Sequence, residues 1–229
     1  MISLASLFPD PIHTVDVQAF CTFAVWDWKV TRFRPEDHKA RFIVHAVKGD
    51  RAKLAGKYQD LTFGTGQPPV RIDETNFELV TDAWAKWAVG KIRARKISGP
   101  IVLAPLPTSK AVPALANYRT RDLARLVQAH LGGASTVWDG VRFREERQPV
   151  HGGGNRATIT EDMVLVSEPP DGEMVVLDDV FTTGAHLSAL VRHLPTARRP
   201  NFMVTAGQTV WERPEDVFKR PVFVHSVYP

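Results

Sequence analysis

Residues Met174 to Leu187 read MVVLDDVFTTGAHL. The apolar run Met174-Val175-Val176-Leu177 stops at two adjacent carboxylates, Asp178 and Asp179. After Val180 and Phe181 comes a small-residue step, Thr182-Thr183-Gly184, and then Leu187, Leu190, Val191 and Leu194 recur at helical spacing. The order is a buried strand, an acidic strand end, a tight loop and a helix N-terminus. Such a terminus presents backbone N–H groups without intrahelical partners and a partial positive charge, so it suits a phosphate. The Thr hydroxyls add donors, and Gly184 lets the backbone curl round an oxyanion. The two carboxylates can accept from sugar hydroxyls or hold Mg2+ through water. The segment predicts a site for a phosphorylated sugar.

Working outward, apolar runs alternate with helical patterns. Residues 21–30 read as a strand. Residues 38–61 read as helix, turn at Lys48-Gly49-Asp50, and helix, and residues 63–72 as a loop. Residues 77–92 are helical, with Leu79, Val80, Ala83, Trp84, Trp87 and Ala88 on one stripe. A strand is expected at Ile101–Ala104 and a helix from Tyr118 to Leu131, ended by Gly132-Gly133. Further strands are expected over 136–143, 163–166, 174–177, 202–205 and 222–227. This alternation predicts an α/β protein with a mostly parallel central sheet flanked by helices, which binds ligands beyond the carboxyl ends of its strands.

A second strand-end loop, Pro105-Leu106-Pro107-Thr108-Ser109-Lys110, offers two hydroxyls and an ammonium. Residues 142–158 contain Arg144, Arg147, Arg156 and the triple glycine Gly152–Gly154, and read as a mobile arm whose arginines can reach a phosphate. Trp26, Trp28, Phe33 and Trp211 are candidates to stack on a base. His186 and His193 share a helix, but without a third ligand they read as surface or cap residues rather than a metal site.

Composition narrows the class. The chain has 229 residues, 44% hydrophobic and 24% charged, as an ordinary globular protein does. Cys21 is the single cysteine, so an intrachain disulfide and a multi-cysteine zinc site are excluded. The apolar runs are too short to span a bilayer, and the first residues lack the pattern of a signal peptide, so the expected location is cytoplasmic and no membrane contact is foreseen. A net charge of +4 fits polyanionic substrates and weak contact with nucleic acid. No Gly-x-Gly-x-x-Gly follows a strand, which argues against a dinucleotide-binding dehydrogenase.

The Asp-Asp-x-x-Thr-Thr-Gly segment resembles the PRPP-binding motif of type I phosphoribosyltransferases, PRPP being 5-phosphoribosyl 1-pyrophosphate. The order of the pieces is most similar to the ComF-type branch, through the basic segment Val44-His45-Ala46-Val47-Lys48-Gly49-Asp50, through Asn117–Ala124, and through Gln148 followed by Arg156. The chain departs from that branch in two ways. It lacks a Cys-rich N-terminal module, and Ala111-Val112-Pro113-Ala114 replaces a run of arginines.

The resemblance implies a type I phosphoribosyltransferase-like fold, with residues 1–75 as an N-terminal extension and hood and 76–229 as the core of one compact unit. It implies that Asp178 and Asp179 orient the ribose, and that Val180, Phe181, Thr182, Thr183 and Gly184 hold the 5-phosphate. Thr108, Ser109 and Lys110 would face pyrophosphate, and Arg144, Arg147 and Arg156 would close over the substrate. Mg2+ is the implied cofactor, held through substrate and waters near the acid pair and not by direct protein ligands. PRPP or a nucleoside monophosphate is the implied ligand, and the family organisation allows a homodimer. The implied reaction transfers the 5-phosphoribosyl group to a base or amine and releases pyrophosphate. The alternative is a catalytically degenerate sensor of PRPP or nucleotide that acts through nucleic acid or a protein partner.

Overall fold

A computed structural model describes residues 11–25, 32–114, 117–133, 135–147, 158–219 and 222–228. The apolar run that opens the decisive segment becomes strand β8 (Glu173–Phe181). Met174, Val175, Val176 and Leu177 are all buried, as expected of a strand covered on both faces. Their side chains alternate: Val175 and Leu177 join one core cluster, Met174 and Val176 the other.

β8 lies between β4 (Ile101–Pro105) and β9 (Phe202–Val210) and runs parallel to both. The six-stranded sheet has the order β10-β1-β9-β8-β4-β5, with β1 at His13–Ala24, β5 at Ser135–Val137 and β10 at Val222–Val227. Every neighbouring pair is parallel except β1 with β10. The expected mostly parallel sheet is therefore present, and β1 is one of its inner strands. No helix among the described residues is long and apolar enough to cross a membrane.

Helices cover both faces. Leu123, Ala124 and Val127 of α4 (Arg119–Leu131) share a core with α1 (Pro35–Lys48) and α3 (Glu78–Ala94). Leu187, Leu190 and Val191 of α6 (Ala185–His193) pack on the opposite face. From β4 the chain crosses through α4 to β5 on one side, and from β8 it crosses through α6 to β9 on the other. The two crossovers part between β4 and β8. Such a switch point opens a crevice at the carboxyl ends of the two strands.

Several boundaries differ from expectation. The first strand is His13–Ala24 rather than 21–30, and residues 26–31 lie outside the described ones. The second helix after the Lys48-Gly49-Asp50 turn is the short α2 (Arg51–Leu54). It is followed by a hairpin of β2 (Gln59–Leu61) and β3 (Val70–Ile72), the latter formed from the end of the expected loop. Residues 136–143 divide into β5 and β6 (Val141–Phe143), because Gly140 turns the chain tightly against the Trp138 indole. β6 pairs antiparallel with β7 (Met163–Leu165), after the short α5 (Ile159–Asp162), so β7 does not join the main sheet. Leu79 on α3 is exposed, and Val80, Trp84, Ala88 and Ile92 face the core.

Leu177 is fully buried one residue before the acid pair. Leu177→Ala is expected to lower folding stability by about 2–5 kcal/mol, read as a shift of the urea midpoint. An unchanged midpoint would contradict the packing described.

Candidate functional site

β8 does not end where its apolar run ends. Pairing with β9 continues through Asp178↔Thr205 to Phe181↔Gln208, so both carboxylates belong to the last turns of the strand and point to alternate faces. Asp178 Oδ1 accepts the Asp179 amide at 2.8 Å. Phe181 turns its ring onto β10, against Phe223 at 5.0 Å and His225 at 5.3 Å, and so anchors the loop that follows. Thr209 donates to Thr182 Oγ1 at 3.3 Å.

Gly184 is the N-cap of α6 and no side chain caps this terminus. Its φ of 75° lies in the left-handed region, and a Cβ there would stand 2.4 Å from His225 Cε1, so only glycine fits on both counts. The His225 ring is fixed in turn by a 2.9 Å contact between its Nε2 and Ser188 Oγ.

The loop after β4 stands beside this one. Leu106 donates its amide to the Leu177 carbonyl at 2.9 Å, and Thr120 Oγ1 donates to the Leu106 carbonyl at 2.5 Å. The two loops enclose a cavity of about 540 Å3. Asp178, Asp179, the whole run Val180–Gly184, Thr108 and Ser109 are all on its wall. The two loops singled out from sequence thus meet in one place.

Lys110 is not on the wall. Its side chain is 73% exposed, with Nζ 4.0 Å from Glu146. Of the arm's arginines, Arg147 lines the cavity. It forms an ion pair with Asp162, donates to Thr158 Oγ1 at 3.2 Å, and lies over the Phe143 ring. Its amide donates to the Ser109 carbonyl at 2.8 Å, which fastens the root of the arm to the loop after β4. Arg144 is off the wall, its Nε 3.4 Å from the Glu161 carbonyl. Arg156, Gln148 and the triple glycine lie outside the described residues, as do Trp26 and Trp28. Phe33 carries Arg41 over its ring and Trp211 is exposed; neither lines the cavity.

Other wall residues were not foreseen. Phe23 from the end of β1, His45 and Lys48 from the end of α1, Asp50 and Arg119 form one side of the cavity. Lys48 Nζ is 3.9 Å from Asp179 Oδ2. Arg119 reaches back to α1: its Nε donates to the Val47 carbonyl at 2.6 Å, and the guanidinium also donates to Thr81 Oγ1 at 3.0 Å. It thereby satisfies a carbonyl at the helix C-terminus, where a cation is favourable. His186, expected as a surface or cap residue, is instead a wall residue with its ring edge-on to Phe143 at 5.7 Å. His193 bonds through Nε2 to the Thr160 carbonyl at 2.8 Å, a structural contact away from the cavity.

A scan of protein-family models finds none that matches the chain, and a search of curated proteins finds none similar to it. Among solved structures, the crystal structure of an adenine phosphoribosyltransferase from Rhodothermus marinus is similar over 69% of this chain and 84% of that one. The identity is 14% and the TM-score 0.34. A likeness that loose carries nothing about chemistry, and the α/β assignment stands on the strand order above.

The electrostatics of the wall follow from burial. The Asp178 carboxyl is packed round by protein although part of the residue faces the cleft. This desolvation, and then the charge of Asp179, hold its pKa well above the usual carboxylate range. Burial pushes His45 down to about 4, and it also lowers His186, with Arg147 adding to the effect. His225 is lowered by burial as well. These histidines are neutral at neutral pH, so among the described residues the cations of the wall are Lys48, Arg119 and Arg147.

A raised carboxyl pKa has a definite sign. The folded state binds the Asp178 proton more tightly than the unfolded chain does, so its contribution to stability is complete in acid and is lost as pH rises through the folded value. Asp178→Asn is therefore expected to melt higher than wild type at neutral pH, with the gap closing on acidification toward about pH 4. Thermal midpoints across that range measure it. An Asn variant that melts lower throughout would contradict the desolvation of this carboxyl.

Proposed function

We propose that the cavity binds PRPP with Mg2+ and that the protein transfers the 5-phosphoribosyl group to a nitrogen of a base or amine, releasing pyrophosphate. The observation that carries this reading is the meeting of two phosphate-type loops, Thr108-Ser109 and Thr182-Thr183-Gly184, with an acid pair between them on one cavity. The uncapped terminus of α6 supports a 5-phosphate there, since its amides have no side-chain acceptor. The volume suits a ligand of nucleotide size.

In this reading Asp178 and Asp179 accept from the ribose hydroxyls and fix the sugar, while the 182–185 turn holds the 5-phosphate. The C1–O bond to pyrophosphate breaks, a C1–N bond forms, and the proton of the attacking nitrogen passes to solvent. The cation-like sugar that develops favours a site that positions groups and keeps water out. Two adjacent carboxylates are oxygen donors of the kind a hard cation accepts through water, so the residues fit Mg2+, which when bound supplies neutralisation of the pyrophosphate charge. The same reading implies a cytoplasmic location.

One observation favours a second reading, a ComF-like sensor without catalysis: Lys110 is turned away from the cavity onto Glu146. The basic cluster that would serve nucleic acid is partly engaged within the fold. Arg95 pairs with Asp16 at 2.8 Å, and Arg93 donates to the His130 and Leu131 carbonyls.

Calorimetric titration of PRPP with Mg2+ into wild type and Asp178→Asn/Asp179→Asn tests the site. Binding with a Kd of about micromolar in wild type, lost in the double variant, is the expected result. No binding to folded wild type would refute it. Pyrophosphate release on adding a panel of bases separates the transferase from the sensor.

A further inference from the structure

Lys48 ends α1, a helix that the motif at residues 174–187 does not include. We infer that Lys48, rather than Lys110, is the cation that receives the pyrophosphate group of the ligand. The inference rests on the PRPP reading above and adds the residue that recognises the leaving group.

The turn that presents Lys48 is held firmly. Gly49 has φ 70°, which a residue with a side chain adopts only at a cost, and its missing Cβ would stand 3.2 Å from Arg119 Nε. Arg119 itself bonds the Val47 carbonyl and Thr81, and Asp50 starts α2 by accepting from the Lys53 amide at 3.3 Å. The backbone at Lys48 is thus fixed from three sides, while its long side chain remains partly exposed to the cavity.

The other wall cations are differently engaged. Arg119 is spent on the carbonyls of α1, and Arg147 is paired with Asp162 and Thr158. Lys48 is 3.9 Å from Asp179, a longer and looser pairing with the very carboxylate that would turn to the ribose. A polyanion approaching Asp50, Asp178 and Asp179 meets repulsion unless a cation stands among them. Lys48 balances Asp179, and its flexible stem lets the ammonium move to the incoming anion as the sugar hydroxyls engage the acid pair. Lys110 is off the wall and largely exposed, with the similarly exposed Glu146 near it.

The test compares two ligands that share the 5-phosphate and differ at C1: PRPP with Mg2+, and ribose 5-phosphate. Calorimetry would be run on wild type, Lys48→Met, Lys48→Arg and Lys110→Met, with thermal melts confirming that each folds. Lys48→Met is expected to weaken PRPP binding by about tenfold or more, the loss of a charge-assisted contact. It should leave ribose 5-phosphate within about threefold of wild type, and Lys48→Arg should recover most of the PRPP affinity. Lys110→Met should bind both ligands as wild type does. Equal weakening for both ligands in Lys48→Met would mean that Lys48 only steadies Asp179, and would overturn the inference, as would wild-type PRPP affinity in that variant. If wild type binds ribose 5-phosphate but not PRPP, the pyrophosphate role falls while the phosphate site stands. If it binds neither, the PRPP reading fails and this inference with it.

Discussion

Parallel pairing of β4 with β8 is the constraint on which the site depends. The register Ile101↔Glu173 through Pro105↔Leu177 ends β4 beside the point where the acid pair of β8 begins, and β8 runs on against β9 to Phe181. A slip by one residue would turn Val175 and Leu177 to the wrong face and reverse Asp178 and Asp179 with them. Because the chain leaves β4 toward β5 and β8 toward β9, the helices that follow go to opposite faces, and among the described residues no crossover helix covers the strand ends. What remains there is a crevice bordered by two loops, and the Leu106 amide on the Leu177 carbonyl carries the pairing one step into the loops themselves. The second layer, α1 locked by Arg119 and closed by Gly49, adds the third side.

That architecture has an electrostatic cost. Asp178 is half-buried at the cavity wall beside another carboxylate, and this desolvation with the neighbouring charge favours the protonated form and opposes stability at neutral pH. Nothing in the packing of β8 requires a carboxyl at that point; an Asn could accept the same Asp179 amide. Residues that work against the fold are frequent at functional sites, where a ligand supplies what the empty protein lacks. Lys48 already stands beside Asp179, and what the pair would gain from a sugar phosphate is hydroxyl donors, with a bound metal adding further positive charge.

The sequence made the central segment legible because its signals are local. Met174–Leu177, the acid pair, Thr182–Gly184 and the Leu187–Leu194 spacing lie within a short stretch, and each is read from its own neighbours. The strand-helix alternation on either side gave the mostly parallel sheet for the same reason. What was hidden depends on contacts distant in sequence. Phe23, His45 and Lys48 reach the cavity only because β1 enters the sheet beside β9 and α1 packs over it, and the resemblance at Val44–Asp50 assigned none of them a place in the site. Lys110 has the right charge in the right loop, yet its side chain stands off the wall, largely exposed, which the sequence of the loop does not reveal. His186 passed for a cap residue because the depth of a wall cannot be read from helical spacing.

The central claim is that one cavity, at the joined ends of β4 and β8, receives a 5-phosphoribosyl group. Its most direct test is a crystal structure of the wild-type protein grown with PRPP and Mg2+. The account requires the 5-phosphate on the amides and hydroxyls of Thr182–Gly184, the ribose hydroxyls against Asp178 and Asp179, and the pyrophosphate on the Thr108-Ser109 side. Density for the ligand elsewhere on the protein, or a clear cavity at saturating ligand, would contradict it.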